Sequence, residues 1–219
     1  MLTNELTTPQ LIAVWILPVL YAITLHEVAH GWVANKLGDP TARILGRLSL
    51  NPLRHIDPVG TILVPALLLV MGGFIFGWAK PVPVGWQNLR HPKRDMAIVA
   101  LAGPFSNLLM ALMWAGLVKL GVMLDHSNYS AGIALIYMGK AGIQINVMLF
   151  VLNLLPIPPL DGSRVVSGIL PNVLSRIYEK ITPFGFYILI LMIATGVLYN
   201  LLWPFIDLVQ TDIFSIYGI

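Results

Sequence analysis

TLHEVAHGWVANKLG, residues 24–38, closes a long apolar segment and places three ionisable side chains inside it. The apolar segment begins near Pro9, so this stretch is the last third of a helix long enough to span a membrane. His26 and His30 are four residues apart, and Glu27 lies between them. Side chains at that spacing share one face of a helix, so the two imidazoles can meet at one point. Ionisable groups inside an apolar span are costly and usually mark a functional site.

The whole chain has the composition of an integral membrane protein. Of its 219 residues, 57% are hydrophobic and 11% are charged, whereas soluble domains have roughly 25% charged residues. The apolar residues occur in long blocks, at 11–25, 62–75, 96–124, 143–155 and 184–206. We attribute the net charge of +3 to contact with anionic lipid, and expect a lipid bilayer and no nucleic acid as partner. The absence of cysteine excludes disulfides and thiolate metal ligands.

The positive charges predict how the chain crosses the membrane. All but two of the 13 lysines and arginines lie in three segments, at 36–57, 79–95 and 156–182. Positive residues near the ends of spans mark the cytosolic face, so we expect all three segments on that side. Four helices satisfy this arrangement: helix 1 at about 9–37, helix 2 at about 95–120, helix 3 at about 133–155 and helix 4 at about 184–207.

Residues 58–79 must then leave the cytosolic side and return to it. Proline and glycine residues supply breaks in this block, which favours a re-entrant hairpin over a further ordinary helix. Residues 41–50 alternate with period two, which predicts a short strand at the membrane surface. The predicted fold is an all-α polytopic membrane protein with about four transmembrane helices, a re-entrant hairpin and a small cytosolic β element. We expect one domain over residues 1–219, with the strand and hairpin at about 40–85.

HEVAH at 26–30 is the H-E-x-x-H arrangement of zinc peptidases, in which two histidines bind zinc and the glutamate is the general base. Catalytic zinc usually has three protein ligands, so one more is required. Asp161 is the best candidate, because the predicted topology places it on the same side as His30. The prolines in 156–159 prevent a regular helix before it. The alternatives are histidines that only form hydrogen bonds and an ordinary proline-rich loop at 156–162.

Three asparagines in the predicted spans are further candidates. Asn107 and Asn153 either contact substrate or form ordinary hydrogen bonds between helices, and for Asn146 we favour the second interpretation.

GWAKPVPVG, residues 77–85, has the pattern of an extended segment with one usable edge. Pro81 and Pro83 lack donors, while Val82 and Val84 keep theirs on the other edge. We expect Val82 and Val84 to bind an unwound substrate by strand addition.

Three motifs together resemble the site-2 protease family of intramembrane zinc metalloproteases. They are HEVAH at 26–30, AGPFSN at 102–107 and NLLPIPPLDG at 153–162, and they stand in the order that the family has. The resemblance covers most of the chain. We expect neither the PDZ insert nor the C-terminal CBS module of larger members, and therefore do not expect the regulation that those modules provide.

The resemblance implies one zinc ion per chain, held by His26, His30 and Asp161, with Glu27 as the catalytic base. It places Asn107 and Asn153 near the bound peptide. The implied enzyme is a hydrolase, an endopeptidase that cuts membrane proteins in or near their transmembrane segments, in regulated intramembrane proteolysis or in clearance of signal-peptide remnants. We expect a multi-pass protein of the cell membrane, in a prokaryote the inner membrane, with the active site open to the cytosol.

Two other functions would use the same side chains. A metal or proton transporter predicts polar residues strung along several helices, whereas here they gather near one face. An inactive membrane scaffold of the same fold is disfavoured because Glu27 is intact.

Overall fold

The computed structural model describes residues 7–63, 80–126 and 131–219, and the regular structure in these ranges is helical, without a strand. Single turns of tighter or wider helix lie at Pro52–Arg54, Pro58–Leu63 and Trp86–Asn88. The α-helices of the described ranges are α1 (Thr8–Lys36), α2 (Thr41–Ile44), α3 (Pro92–His126), α4 (Ala131–Asn153), α5 (Asp161–Ile169), α6 (Asn172–Glu179), α7 (Thr182–Ala194) and α8 (Val197–Tyr217).

Three helices in the described ranges are long and apolar enough to cross a membrane. They are α1, α3 and α4, and they correspond to the predicted helices 1, 2 and 3. The pair α6 and α7 could form a fourth span only as one broken unit, bent by 57°. The protein is therefore a multi-pass membrane protein whose described regular structure is all helical.

The predicted helix 4, at 184–207, is not continuous. Gly196 has a φ of +72° and separates α7 from α8. A left-handed residue cannot continue a right-handed helix, and glycine adopts it without the steric cost of a side chain. The apolar pattern runs across this position unchanged, so periodicity alone predicted one helix instead of two.

The β element predicted at 41–50 is absent, because Thr41–Ile44 form α2 and no strand follows. Asp39 accepts a hydrogen bond from the backbone N–H of Thr41 at 3.1 Å, which favours a turn of helix at this position. Gly46, with a φ of +63°, ends that turn. The local side-chain bond outweighed the two-residue alternation. Of the predicted re-entrant hairpin, residues 64–79 lie outside the described ranges.

The centre of the fold is α3, which packs most extensively against α4 and also against α1 and α5. Small side chains allow the close approach: Ala111 and Ala115 of α3 are fully buried in a cluster with Ile143 and Val147 of α4. At Gly142 of α4, a Cβ would overlap the indole of Trp114. This packing fixes α3 as a rigid wall against which α1 and α5 place their side chains.

Asp39 ties the end of α1 to the extended segment at 80–85. Its side chain is fully buried, and its carboxylate accepts from both the N–H and the hydroxyl of Thr41, from Asn88 Nδ2 at 3.0 Å and from the N–H of Gly85 at 2.7 Å. Burial alone would raise the pKa of the Asp39 carboxyl, but these donors outweigh it and lower the pKa. The segment at 80–85 is therefore held against α1 by an ionised side chain.

Candidate metal centre

Three ligand atoms meet where α1 and α5 approach each other. The Nε2 atoms of His26 and His30 lie 3.1 Å apart. Asp161 Oδ2 lies 3.1 Å from the first nitrogen and 3.2 Å from the second. Both histidines are buried in the protein, and Asp161 is nearly so. In the described ranges, no other set of three His, Asp or Glu side chains offers ligand atoms so close together.

The donor set fits a zinc ion. Tetrahedral zinc with bonds of 2.0–2.1 Å separates its ligand atoms by about 3.3 Å, close to the three distances found here. His30 Nδ1 donates to the backbone oxygen of Val99 at 2.7 Å, and His26 Nδ1 to Asn107 Oδ1 at 2.6 Å. In neutral imidazoles both Nε2 atoms then carry lone pairs. Asp161 Oδ2 is buried and has no hydrogen-bond partner. Three acceptors that face one another without a hydrogen between them are stabilised by a cation bound at their centre.

The proline-rich turn brings Asp161 to the histidines. The helix α4 ends at Asn153, and the chain is irregular until Asp161 opens α5. Ser163 donates its hydroxyl to Leu160 O at 2.7 Å, which closes the turn. Gly162 is pressed against the carbonyls of Leu154 and Leu155, where a Cβ would overlap backbone oxygen. The turn thus folds back onto α4 and fixes the carboxylate beside α1.

Glu27 is half-buried and lies next to the extended segment at 80–85. Its Oε2 accepts from the N–H of Val82 at 2.7 Å, so this donor is not free, contrary to the sequence-based expectation. Val84, two residues further, has no hydrogen-bond partner for its N–H among the described residues. Within the described ranges, the usable edge of the segment therefore has one occupied donor and one donor without a partner.

The two asparagine candidates have different surroundings. Asn107 is fully buried, and its amide oxygen faces His26, so it offers no surface to a peptide in this conformation. Asn153 is half-buried at the end of α4 and donates Nδ2 to Leu149 O at 3.0 Å. Its carbonyl oxygen has no partner among the described residues. Of the two, only Asn153 presents a polar atom that a substrate could reach.

The sequence indicates Gly103 as a small residue that allows close approach of helices, but sequence reasoning did not connect it to the two histidines. A Cβ at this position would overlap the imidazole of His30 and lie 2.6 Å from Cε1 of His26. Gly103 therefore provides the space that both rings occupy. The signal that could have linked Gly103 to the site is its place in the AGPFSN motif, four residues before Asn107.

Comparison with known proteins identifies similar chains that are named as zinc metalloproteases. The family model described as Peptidase family M50 matches residues 115–196. YwhC of Bacillus subtilis (strain 168), named as a zinc metalloprotease, is 35% identical over 208 residues, which are 93% of this chain and 90% of that protein. Rip2 of Mycolicibacterium smegmatis (strain ATCC 700084 / mc(2)155), also named as a zinc metalloprotease, is 32% identical over 193 residues, 86% of this chain and 71% of that protein.

No solved structure gives a significant match. The similarity to YwhC covers nearly all of both chains at an identity that establishes common membership. The chain therefore belongs to peptidase family M50, the site-2 protease family of intramembrane zinc metalloproteases.

Proposed function

We propose that His26, His30 and Asp161 hold the zinc of this metalloprotease and that Glu27 is its general base. The observation that carries the proposal is the triangle of ligand atoms, with each distance near 3.1 Å, at a point buried between α1 and α5. The ligands come from two separate sequence motifs, so their convergence does not follow from the helical spacing of His26 and His30.

The metal and the side chains have different roles in the catalytic step. Bound zinc supplies a Lewis acid that activates water and polarises the scissile carbonyl. Glu27 accepts a proton from the attacking water and transfers it to the leaving amine nitrogen, so that the peptide bond breaks into a carboxylate and an amine. Because the site is buried among apolar helices, bulk water is excluded and the charges of the reacting groups interact strongly.

The substrate is a membrane protein or membrane-bound peptide whose helix unwinds locally in or near its transmembrane segment, and it pairs with the extended segment at 80–85. Val82 and Val84 are two residues apart, so their N–H groups lie on one edge, while Pro81 and Pro83 leave the other edge without donors. The N–H of Val84, which has no partner among residues 7–63, 80–126 and 131–219, provides the first bond. A strand that continues to Val82 displaces the carboxylate of Glu27, so that docking of substrate releases the base.

The enzyme faces the cytosol and resides in the cell membrane, the inner membrane of a prokaryote. Contacts between the three basic segments support a common side. Arg47 donates to Lys80 O at 2.9 Å, joining the first to the second. Lys93 donates to Asn172 Oδ1 at 2.9 Å, joining the second to the third. Since positive residues gather on the cytosolic side, the end of the bundle that carries Asp161 is assigned there.

The test of the catalytic assignment is cleavage of a labelled single-span substrate by purified protein in detergent. We expect Glu27→Gln to lower the rate by about 10²–10⁴-fold, the usual contribution of a general base. Zinc content is expected to be unchanged, because Glu27 is not a ligand. A chelator should abolish cleavage by the wild type, and added zinc should restore it. A Glu27→Gln variant that cleaves the substrate at the wild-type rate would overturn the assignment.

The substrate edge is tested separately at Val84, whose N–H has no hydrogen-bond partner in the part of the chain that the structure describes. Val84→Pro removes the donor, and Val84→Ala is the matched control that shortens the side chain and keeps the donor. We expect Val84→Pro to raise KM for a membrane-embedded substrate, with zinc affinity unchanged, and Val84→Ala to behave nearly as wild type. Equal kinetics for the two variants would refute strand addition at this edge.

A further inference from the structure

Asn107 decides which nitrogen of His26 can bind a metal ion. Its Oδ1 lies 2.6 Å from His26 Nδ1, and both groups are buried. An amide oxygen can only accept, so Nδ1 carries the proton and Nε2 keeps a lone pair directed at Asp161. If the amide turned over, its NH₂ would face Nδ1, and the proton would have to sit on Nε2. That tautomer cannot bind metal through Nε2.

Two hydrogen bonds hold the Asn107 amide in its orientation. Its Nδ2 donates to the backbone oxygen of Ala22 at 3.1 Å and to Asn146 Oδ1 at 2.9 Å. A rotated amide would place its oxygen against both of these oxygens and leave its own oxygen and Asn146 Oδ1, both buried, without a donor. Unpaired buried polar groups are costly, so the rotated state is excluded.

Asn146 extends this order to a third helix. Its side chain is fully buried, and its Nδ2 donates to Gly142 O, one turn earlier in α4, at 2.9 Å. The backbone carbonyl of Gly142 can only accept a hydrogen bond. It therefore fixes the orientation of the Asn146 amide, and Asn146 in turn fixes the orientation of the Asn107 amide. The hydrogen bonds therefore run in one sense, from His26 through Asn107 and Asn146 to Gly142.

We propose that Asn107 and Asn146 are positioning residues that fix the tautomer and ring orientation of His26. The inference rests on the proposed ligand set and deepens it. The two histidines differ in this respect: His30 is oriented by the backbone oxygen of Val99, which no side-chain substitution removes. His26 depends on side chains contributed by α3 and α4. The hydrogen-bond partners of metal-bound histidines typically change metal affinity by 10–100-fold when they are lost.

Zinc affinity, measured by competition with a chelator, tests the role of Asn107 without recourse to activity. We expect Asn107→Leu to lower the affinity by about 10–100-fold. Asn107→Asp keeps an oxygen that accepts from His26 but loses the donor to Ala22 and Asn146. It should therefore bind zinc within a few-fold of wild type while being less stable to thermal unfolding. A purely structural role predicts instead that affinity follows stability in both variants, and that result would overturn the proposal.

Asn153 supplies a matched control for Asn146. Each donates Nδ2 to a carbonyl four residues earlier in α4, but only Asn146 contacts Asn107. We expect Asn146→Leu to weaken zinc binding and Asn153→Leu to leave it unchanged. Because the contacts act in series, adding Asn146→Leu to Asn107→Leu should lower the affinity no further. If the two substitutions lowered zinc affinity independently, so that their effects added in the double variant, the proposed series of contacts would be contradicted.

His26→Ala separates failure of this inference from failure of the ligand assignment. If His26→Ala binds zinc as wild type does, the ligand set is wrong. If it loses zinc while a folded Asn107→Leu does not, only the positioning role is wrong. Nitrogen NMR of histidine-labelled, zinc-free protein gives a second readout. We expect a protonated Nδ1 at His26 in the wild type and a mixture of tautomers in Asn107→Leu. An unchanged spectrum in Asn107→Leu would refute the proposal. This measurement does not depend on zinc binding, so it also applies to a variant of low stability.

Discussion

Replacing Gly103 with alanine is expected to disable the metal centre while the helices persist. The added Cβ would lie 2.6 Å from Cε1 of His26 and would overlap the ring of His30. Carbon atoms pack at about 3.5–4.0 Å, so the rings or the helix α1 must move by about 1 Å. Metal–ligand distances tolerate about 0.2 Å. The displacement is several times larger, and both imidazoles lie in its path.

The same movement breaks a second contact. Asn107 is one turn further along α3, and its bond to His26 would lengthen from 2.6 Å to about 3.6 Å, beyond hydrogen-bonding distance. We therefore expect zinc affinity to fall at least about 100-fold, more than the loss of an orienting partner alone. The free energy of unfolding should fall by about 1–3 kcal/mol, as is usual for overpacking. The two effects are separable, because the helices can repack without restoring the ligand geometry.

Chelator competition and thermal unfolding in detergent measure both quantities. Gly116→Ala is the control on the same helix, since its Cβ would meet only Tyr217 Cε1 at 3.6 Å, an ordinary contact. We expect Gly116→Ala to bind zinc as wild type does. A folded Gly103→Ala protein with wild-type zinc affinity would show that the close approach of α3 does not determine the site.

Three further predictions concern other parts of the fold. Asp161→Asn removes the charged ligand, so zinc retained after dialysis should drop well below one ion per chain; full retention would exclude Asp161 from the ligand set. The pKa of Asp39 is lowered by its donors, so its stabilising effect is present above the unfolded value of about 4 and is lost as pH falls through the lower folded value. Asp39→Asn should therefore be less stable than wild type near pH 7, with the difference shrinking in acid; a difference independent of pH would contradict this. Gly196→Ala should cost about 1–2 kcal/mol from its left-handed φ alone, because nothing lies within 4 Å of the new Cβ. Gly196→Asn should lower the free energy of unfolding by less, because asparagine adopts the left-handed conformation more readily than alanine. Equal unfolding midpoints for wild type and both variants would show that the left-handed φ of Gly196 imposes no strain on a side chain.

The spans α1, α3 and α4 were predictable because each is a long apolar block with clear ends. The length of an apolar block is a property of the local sequence, so a span can be predicted from it without knowing which helices pack against it. The family assignment was predictable for a different reason, since motifs with fixed spacing carry chemistry directly. The helical spacing of His26 and His30 implies a shared face wherever the helix packs.

The failures arose where a few specific bonds or angles decide the structure. Residues 41–50 have a strand-like alternation, but the buried carboxylate of Asp39 makes them begin as a helix. The apolar run after 184 has no visible gap, yet one left-handed glycine divides it. For Asn107 the sequence left open substrate contact or hydrogen bonds between helices, because it cannot show which of its neighbours the side chain bonds. Each of these outcomes depends on geometry that periodicity and composition do not encode.

The helix α3 contributes none of the proposed ligands, yet it contacts both imidazoles. Val99, Gly103 and Asn107 are each four residues apart, so they form one stripe along its surface. Val99 holds His30, Asn107 holds His26, and Gly103 between them leaves room for the rings. Two histidines four apart on α1 thus meet a stripe with the same repeat on α3. Metal binding at the proposed site consequently requires that the two helices are docked in register, which makes the packing of the spans and the proposed catalytic geometry a single structural property.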